Sequence, residues 1–189
     1  MVNVHSRAVF LDRDGVLNRS VVGDSGLGRA PWSVDEVKVF GEQSPAVERL
    51  ASAGWLLVVV TNQPDVARGI MNEMQAQEIN DVVVQAFPGL TSSYVCMHTG
   101  SDGCSCRKPL PGMLLQAAQD LDIDTSRSWM VGDRWVDVAA GAAAGCRTIL
   151  IEGPESWLPT SHGSAPADLV PDFVAVDLTQ AVDVILERC

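Results

Sequence analysis

The acidic residues that follow the first apolar run are the strongest candidates for chemistry. Residues 8–11 are apolar, and Asp12 and Asp14 come directly after them, separated only by Arg13. Apolar residues that end in carboxylates are typical of a buried parallel strand whose C-terminal end opens into a crevice. Because two carboxylates this close repel each other in a poorly hydrated site, we expect a cation, and Mg2+ is the natural candidate. The alternative is an ordinary acidic turn at Gly15.

Polar residues also cluster after three later apolar runs, where further strands are predicted. Because the C-terminal ends of parallel strands share one edge of a sheet, these residues should meet the two aspartates. Lys108 would hold a phosphoryl group, whose oxygens would also accept hydrogen bonds from a hydroxyl and an amide. Asp133 and Asp137 would complete the Mg2+ shell and orient the lysine. The residues are Thr61 and Asn62, Arg107 and Lys108, and Asp133, Arg134 and Asp137.

A second cluster of candidate ligands combines one histidine with three cysteines. Cys96 and His98 precede a loop that ends in Cys104 and Cys106. This is a ligand set of tetrahedral structural zinc, and four protein ligands leave no position for a catalytic water. Zinc would therefore pin the loop and fix the two basic residues that follow it. The alternative is a chance grouping of reduced cysteines on a surface loop.

The composition limits the classes of protein and of partner. A chain of 189 residues with 47% hydrophobic and 20% charged residues predicts one globular domain over 1–189. The formal net charge of −11 argues against nucleic acid or an anionic membrane surface as a partner. The longest apolar run, 55–60, is too short to span a bilayer, and residues 1–7 lack the pattern of a signal peptide. Five cysteines, an odd number, with three of them beside a histidine, favour a metal site in a reducing compartment over disulfides. We expect the protein to be cytoplasmic and monomeric.

Strands and helices alternate along the chain, which predicts an α/β fold. The expected architecture is a doubly wound, mostly parallel, Rossmann-like sheet with helices on both faces, a zinc-pinned loop and no cap domain. The glycine-rich excursion at 18–43 should be irregular, and its Arg29 is either a contact for a substrate phosphate or a solvated charge. Strands are predicted at 8–11, 55–60, 93–97, 128–131, 147–151 and 173–176, and helices at 44–54, 72–87, 111–121, 135–144 and from 177. Ser44 is the expected N-cap of the first helix, and Asn72 with Gln75 predicts a capping box at the start of the second.

In order along the chain, four motifs resemble those of the haloacid dehalogenase superfamily. They are Asp-Arg-Asp-Gly-Val at 12–16, Thr-Asn-Gln at 61–63, Lys108 before a proline, and Gly-Asp with a second Asp at 132–137. The resemblance implies that Asp12 is a nucleophile that forms an aspartyl-phosphate, and that Asp14 is the general acid and then the base. It also implies that Thr61 and Lys108 are catalytic. Mg2+ would bind to Asp12, Asp133 and the backbone carbonyl of Asp14.

The zinc loop narrows the resemblance to one branch of the superfamily. Cys-Arg-Lys-Pro at 106–109 is similar to the loop of D,D-heptose 1,7-bisphosphate phosphatases and of the histidinol-phosphate phosphatase domain. This implies a Mg2+-dependent phosphatase that acts on a small phosphorylated metabolite. The favoured substrate is the 7-phosphate of heptose 1,7-bisphosphate, and the alternative substrate is histidinol phosphate. The residues expected to bind the substrate are Asn62, Gln63, Arg107 and Arg134.

Two features bear on these alternatives. Pro64 and Asp65 depart from the Ser-Gly of the heptose branch. Proline has no N–H to donate and the aspartate would repel a phosphate, which disfavours phosphate binding at that loop. A non-catalytic phosphate-binding module would have no need of both Asp12 and Asp14. The lack of a predicted cap disfavours a phosphomutase.

Overall fold

The computed structural model describes residues 6–188. The prediction that the chain starts without a signal peptide depends largely on residues 1–5, which lie outside the described residues. The strands are β1 (Ala8–Leu11), β2 (Val21–Val22), β3 (Gly28–Arg29), β4 (Leu56–Asn62), β5 (Leu90–Cys96), β6 (Trp129–Gly132), β7 (Arg147–Ile151) and β8 (Phe173–Ala175). The helices are α1 (Ser44–Ser52), α2 (Glu73–Gln85), α3 (Gly112–Asp120), α4 (Trp135–Ala143) and α5 (Leu178–Glu187).

Six strands form a parallel sheet in the order β5-β4-β1-β6-β7-β8, which confirms the predicted fold class. Alternate residues of β1 pack into different cores, because successive side chains of a strand point to opposite faces. Val9 and Leu11 join α1, α2 and α5 on one face. Ala8 and Phe10 join α3 and α4 on the other. Since β1 lies between β4 and β6, its C-terminal end is at the centre of the sheet edge.

The helix starts follow local capping chemistry. Asn72 and Gln75 form the expected capping box at the start of α2, each side chain accepting from the other residue's backbone N–H at 2.9 Å. The prediction for α1 was wrong by one residue. Ser44 was expected to be the N-cap, but it lies within the helix after Gln43, because a 3-10 turn leads directly into it.

The excursion at 18–43 is more ordered than the sequence indicates. Strands β2 and β3 pair antiparallel, and 3-10 turns form at Val34–Glu36 and Gly41–Gln43. The first of these turns packs against α2. Over residues 6–188 the fold shows no separate cap domain, and none of its helices is long and apolar enough to cross a membrane.

Candidate active site

A cavity of about 500 Å³ opens at the C-terminal ends of β1, β4 and β6. Carboxylates and a lysine form its floor, while the excursion and the loop after β7 form much of its rim. Nearly all the polar residues singled out in the sequence meet here, as expected for the ends of adjacent parallel strands. They are Asp12, Asp14, Thr61, Asn62, Arg107, Lys108, Asp133, Arg134 and Asp137.

Lys108 is the cation at the floor, with 2% of its surface exposed. Its Nζ lies 2.6 Å from Asp12 Oδ1 and 2.7 Å from Asp137 Oδ1, and it donates to the carbonyl of Val60 at 2.7 Å. Two of these contacts are hydrogen bonds, to Asp12 and to the Val60 carbonyl, and the contact to Asp137 is an ion pair. Burial acts to lower the pKa of Lys108, but the two carboxylates outweigh it and raise the pKa, so the lysine is charged at neutral pH.

Three carboxylates lie close together and offer oxygen ligands of the kind that a divalent cation binds. Asp12, Asp133 and Asp137 each offer an oxygen, and these oxygens lie within 4.8 Å of one another. Burial, opposed by Lys108, raises the pKa of Asp12 to about 7. Burial and the two neighbouring carboxylates raise the pKa of Asp133, whose Oδ1 is buried without a hydrogen-bond partner. Since Asp137 is engaged by Lys108, Asp12 and Asp133 are the carboxylates best placed to hold Mg2+.

The carboxylate of Asp14 lies outside this group and is held by three other side chains. Arg13 Nη2 donates to Oδ2 at 2.9 Å, Asn18 Nδ2 to Oδ1 at 2.9 Å, and Gln63 Nε2 to Oδ2 at 2.7 Å. Arg13 and Asn18 were missed by the sequence analysis, although their spacing of one and four residues from Asp14 fits a tight turn. Gln63 is buried, with 1% of its surface exposed. Its amide nitrogen donates to Asp14 and Thr61, and its expected contact with the substrate stays a prediction.

Two neighbouring polar residues of β4, Thr61 and Asn62, have different hydrogen-bond partners. Thr61 Oγ1 accepts from Gln63 Nε2 at 2.9 Å, which leaves its hydroxyl proton available to an oxygen in the cavity. The amide of Asn62 instead brackets the backbone of Lys108, accepting from its N–H at 3.1 Å and donating to its carbonyl at 3.0 Å. Asn62 was expected to bind substrate; its main observed role is to fix the loop that carries the lysine.

A glycine allows the floor to be this compact. Gly15 has φ +96°, a conformation that L side chains rarely adopt. A Cβ on Gly15 would overlap the carboxylate of Asp133. The backbone after β1 therefore approaches the carboxylate that follows β6 without an intervening side chain.

The cysteine and histidine side chains converge as the sequence predicts. Cys96 Sγ lies 3.8 Å from Cys104 Sγ and 3.1 Å from Cys106 Sγ, and His98 Nδ1 lies 3.3 Å from Cys106 Sγ. A tetrahedral zinc with Zn–S bonds of about 2.3 Å separates its sulfur ligands by about 3.8 Å. The four ligand atoms lie within 4.8 Å of one another, so their chemistry and spacing fit zinc.

Arginines occupy the rim of the cavity. Arg107 Nη1 donates to the carbonyl of His98 at 3.1 Å, which links the Cys/His cluster to the cavity, and its buried Nε has no partner. Arg134 pairs with Glu155 at 3.4 Å. Arg29 pairs with Glu36 at 2.7 Å, and its side chain is 21% exposed. Of the two interpretations of Arg29, the structure therefore disfavours a solvated charge without a partner.

Comparisons with known proteins agree with this geometry. Residues 105–181 match the HAD-hydrolase-like family model. The chain is 35% identical over 188 residues to a D-glycero-beta-D-manno-heptose-1,7-bisphosphate 7-phosphatase of Haemophilus ducreyi, covering 94% of this chain and 98% of that protein. It is 36% identical over 186 residues to the protein of that name from Yersinia pestis, covering 93% and 94%.

A solved structure shows the same similarity. The D,D-heptose 1,7-bisphosphate phosphatase of B. bronchiseptica, complexed with magnesium and phosphate, superposes with a TM-score of 0.78 at 31% identity. The alignment covers 97% of this chain and 99% of that one.

Proposed function

The chain belongs to the haloacid dehalogenase-like phosphatases, and from this membership we propose that it hydrolyses the 7-phosphate of D-glycero-D-manno-heptose 1,7-bisphosphate. It is a phosphoric monoester hydrolase that uses Mg2+, with zinc as the structural metal of the Cys/His cluster. One observation carries the proposal. Two carboxylates from one turn face the cavity in different environments: Asp12 beside Lys108, and Asp14 held by Arg13, Asn18 and Gln63.

These environments support two different chemical roles. An oxygen of Asp12 attacks the phosphorus, and the bond from phosphorus to the leaving oxygen breaks as Asp14 gives that oxygen a proton. Asp14 then takes a proton from a water molecule that attacks the same phosphorus. The bond between phosphorus and Asp12 breaks, which releases inorganic phosphate and restores the carboxylate of Asp12. Mg2+, held by Asp12, Asp133 and the carbonyl of Asp14, would offset the negative charge of the phosphate.

Lys108 and Thr61 complete the set of catalytic residues in this proposal. The ammonium group is fixed beside Asp12 before the substrate arrives, so it can stabilise charge on the phosphoryl oxygens without reorganising. The hydroxyl of Thr61 donates to one of these oxygens. Arg107 is the rim cation best suited to the rest of the substrate, because it forms no ion pair with any described carboxylate, and Arg134 is a second candidate.

The test is phosphate release in the presence of Mg2+ from heptose 1,7-bisphosphate and histidinol phosphate at matched concentrations. We expect a preference for the bisphosphate of at least about tenfold in kcat/KM, a difference of about 1.4 kcal/mol. Asp12→Asn, which keeps the shape of the side chain, should abolish turnover of both. A preference for histidinol phosphate would overturn the substrate assignment, and activity in D12N would overturn the aspartyl-phosphate route.

The expectations of a cytoplasmic location and a monomer are part of this proposal. The net charge of −11 supports an enzyme that meets its substrate away from anionic surfaces. Cell fractionation and size-exclusion chromatography test the two expectations separately.

A further inference from the structure

One hydrogen bond between side chains attaches the excursion at 18–43 to the loop after β4. Trp32 Nε1 donates to Asp65 Oδ2 at 2.8 Å. The other oxygen of Asp65 accepts from Arg68 Nη1 at 2.9 Å, and Asp65 is only 6% exposed. Asp65 lines the cavity, but both of its oxygens are engaged and its charge is balanced by Arg68. It does not act as the free repulsive charge that the sequence suggests.

Trp32 also fixes an arginine in the cavity wall. The guanidinium carbon of Arg29 lies 3.7 Å from the centroid of the indole ring. Glu36 accepts from Arg29 Nη1 at 2.8 Å and from Nη2 at 2.7 Å, and it also accepts from the backbone N–H of Trp32 at 2.8 Å. These three side chains therefore form one connected group, and the bond to Asp65 sets where the group lies over the cavity.

The excursion has a second attachment on the opposite side of the cavity. Gly28 N–H donates to Glu155 Oε1 at 2.7 Å. The Glu155 side chain is 29% exposed, whereas that of Asp65 is 9% exposed. A hydrogen bond to a carboxylate is stronger where water is excluded, so the attachment at Asp65 should contribute more to the position of the excursion.

We propose that Asp65 is a positioning residue that sets the affinity for the part of the substrate beyond the reacting phosphate. It acts through Trp32 on Arg29 and the excursion, while its own side-chain bonds go to Trp32 and Arg68. The catalytic carboxylates are held by other residues, so the effect falls on KM and leaves kcat largely unchanged. The inference rests on the proposed function for the identity of the substrate.

The kinetic test compares Asp65→Ala, Asp65→Asn and Trp32→Phe with heptose 1,7-bisphosphate. D65A and W32F should each raise KM by about 5- to 10-fold, with kcat within about twofold. This is less than the full effect of a charge-assisted hydrogen bond, because the bond acts on the substrate only through the position of the excursion. D65N keeps an oxygen that can accept from the indole and should recover most of the affinity. D65A loses the bonds to Trp32 and to Arg68, whereas W32F loses only the first of them. The double variant should therefore be no worse than D65A, because that variant has already lost the bond that W32F removes.

Trp157→Phe is the matched control. Trp157 is 40% exposed, and its indole donates to Glu152 at 3.4 Å outside the residues that line the cavity. This variant should keep the wild-type KM. An unchanged KM in D65A and W32F, or effects that multiply in the double variant, would overturn the proposal.

Hydrogen exchange tests the attachment without any substrate. Backbone amides of 18–43 should exchange about 5- to 10-fold faster in D65A and W32F than in the wild type, whereas W157F should show no change. Unchanged exchange overturns the positioning role even in an active enzyme. If the wild type does not hydrolyse the bisphosphate, the proposed function fails. The KM comparison is then made with the phosphate ester that is hydrolysed, and the exchange result still decides whether Asp65 fixes the excursion.

Discussion

Lys108 and Asp12 form a buried ion pair at the centre of the cavity, with Nζ and Oδ1 2.6 Å apart. The lysine side chain is 2% exposed and that of the aspartate 11%. A pair held in this way keeps its ammonium group in place between turnovers. Its electrostatic effect on a transferring phosphoryl group is then available without prior movement of the chain.

Replacing Lys108 with methionine should therefore reduce kcat by about 10²- to 10³-fold, because the group that stabilises the phosphoryl oxygens is lost. Lys38→Met is the matched control, since Lys38 is the only other lysine and is exposed. Steady-state kinetics at saturating Mg2+ measure the effect, and thermal denaturation verifies that K108M is folded. A folded K108M with the kcat of K38M would contradict the role assigned to the lysine.

Asp133→Asn should stabilise the protein in magnesium-free buffer at pH 8. The folded-state pKa of Asp133 is raised above 3.8, so the native state retains a proton that the unfolded state releases. The wild type therefore loses stability as pH rises between these two pKa values, and asparagine avoids this loss. We expect D133N to be more stable than the wild type at pH 8, and the gain to be smaller at pH 5.

Asp81→Asn controls for the loss of one negative charge, because Asp81 is exposed on α2. Thermal denaturation at the two pH values measures the difference. Added Mg2+ should stabilise the wild type and D81N more than D133N. A gain in D133N that is equal at pH 5 and pH 8 would show that burial of the charge is not its cause.

Cys104→Ser should remove zinc and lower stability before it affects chemistry. The serine oxygen is a poor replacement for one of the four ligands, so metal content should fall well below that of the wild type. The melting temperature should fall by at least about 5 °C. Cys146→Ala is the control, because Cys146 is buried outside the Cys/His cluster. Full zinc content in C104S, measured by atomic emission, would contradict the four-ligand assignment.

Gly15→Ala should disrupt the carboxylate floor. The new Cβ would overlap the carboxylate of Asp133, and φ +96° would add backbone strain. We expect kcat/KM to fall by about 100-fold or more, with weaker activation by Mg2+. Gly54→Ala separates the two effects, since Gly54 has φ +81° with open space where its Cβ would lie. That variant should lose only about 1 kcal/mol of stability and keep its activity.

The sequence predicts the fold well because the signals for its main elements are local. The apolar residues of β1 and the carboxylates after it mark a strand end, and the capping box at Asn72 marks a helix start. The β2–β3 hairpin has two residues in each strand, which is too short for any periodic pattern to predict. The misassigned N-cap at Ser44 likewise depends on the 3-10 turn before it.

The roles of individual polar side chains are harder to predict, because they depend on which backbone or side chain arrives beside them. Asn62 brackets the backbone of Lys108, 46 residues later in the chain, and nothing near Asn62 in the sequence indicates this. Asp65 meets an indole from 33 residues earlier. The sequence identifies these residues as members of the site, whereas only the tertiary structure shows which partners their polar atoms find.

The central position of β1 has a consequence for synthesis of the protein. One edge of β1 pairs with β4, but the other must wait for β6, and the backbone N–H of Ala8 donates to Ser128, 120 residues later. At about 5–20 residues per second, a ribosome needs on the order of ten seconds to make that segment. During this time the edge of β1 that will face β6 has unpaired backbone N–H and C=O groups, which can pair with other chains. The nascent chain would therefore depend on chaperones more than its modest size suggests.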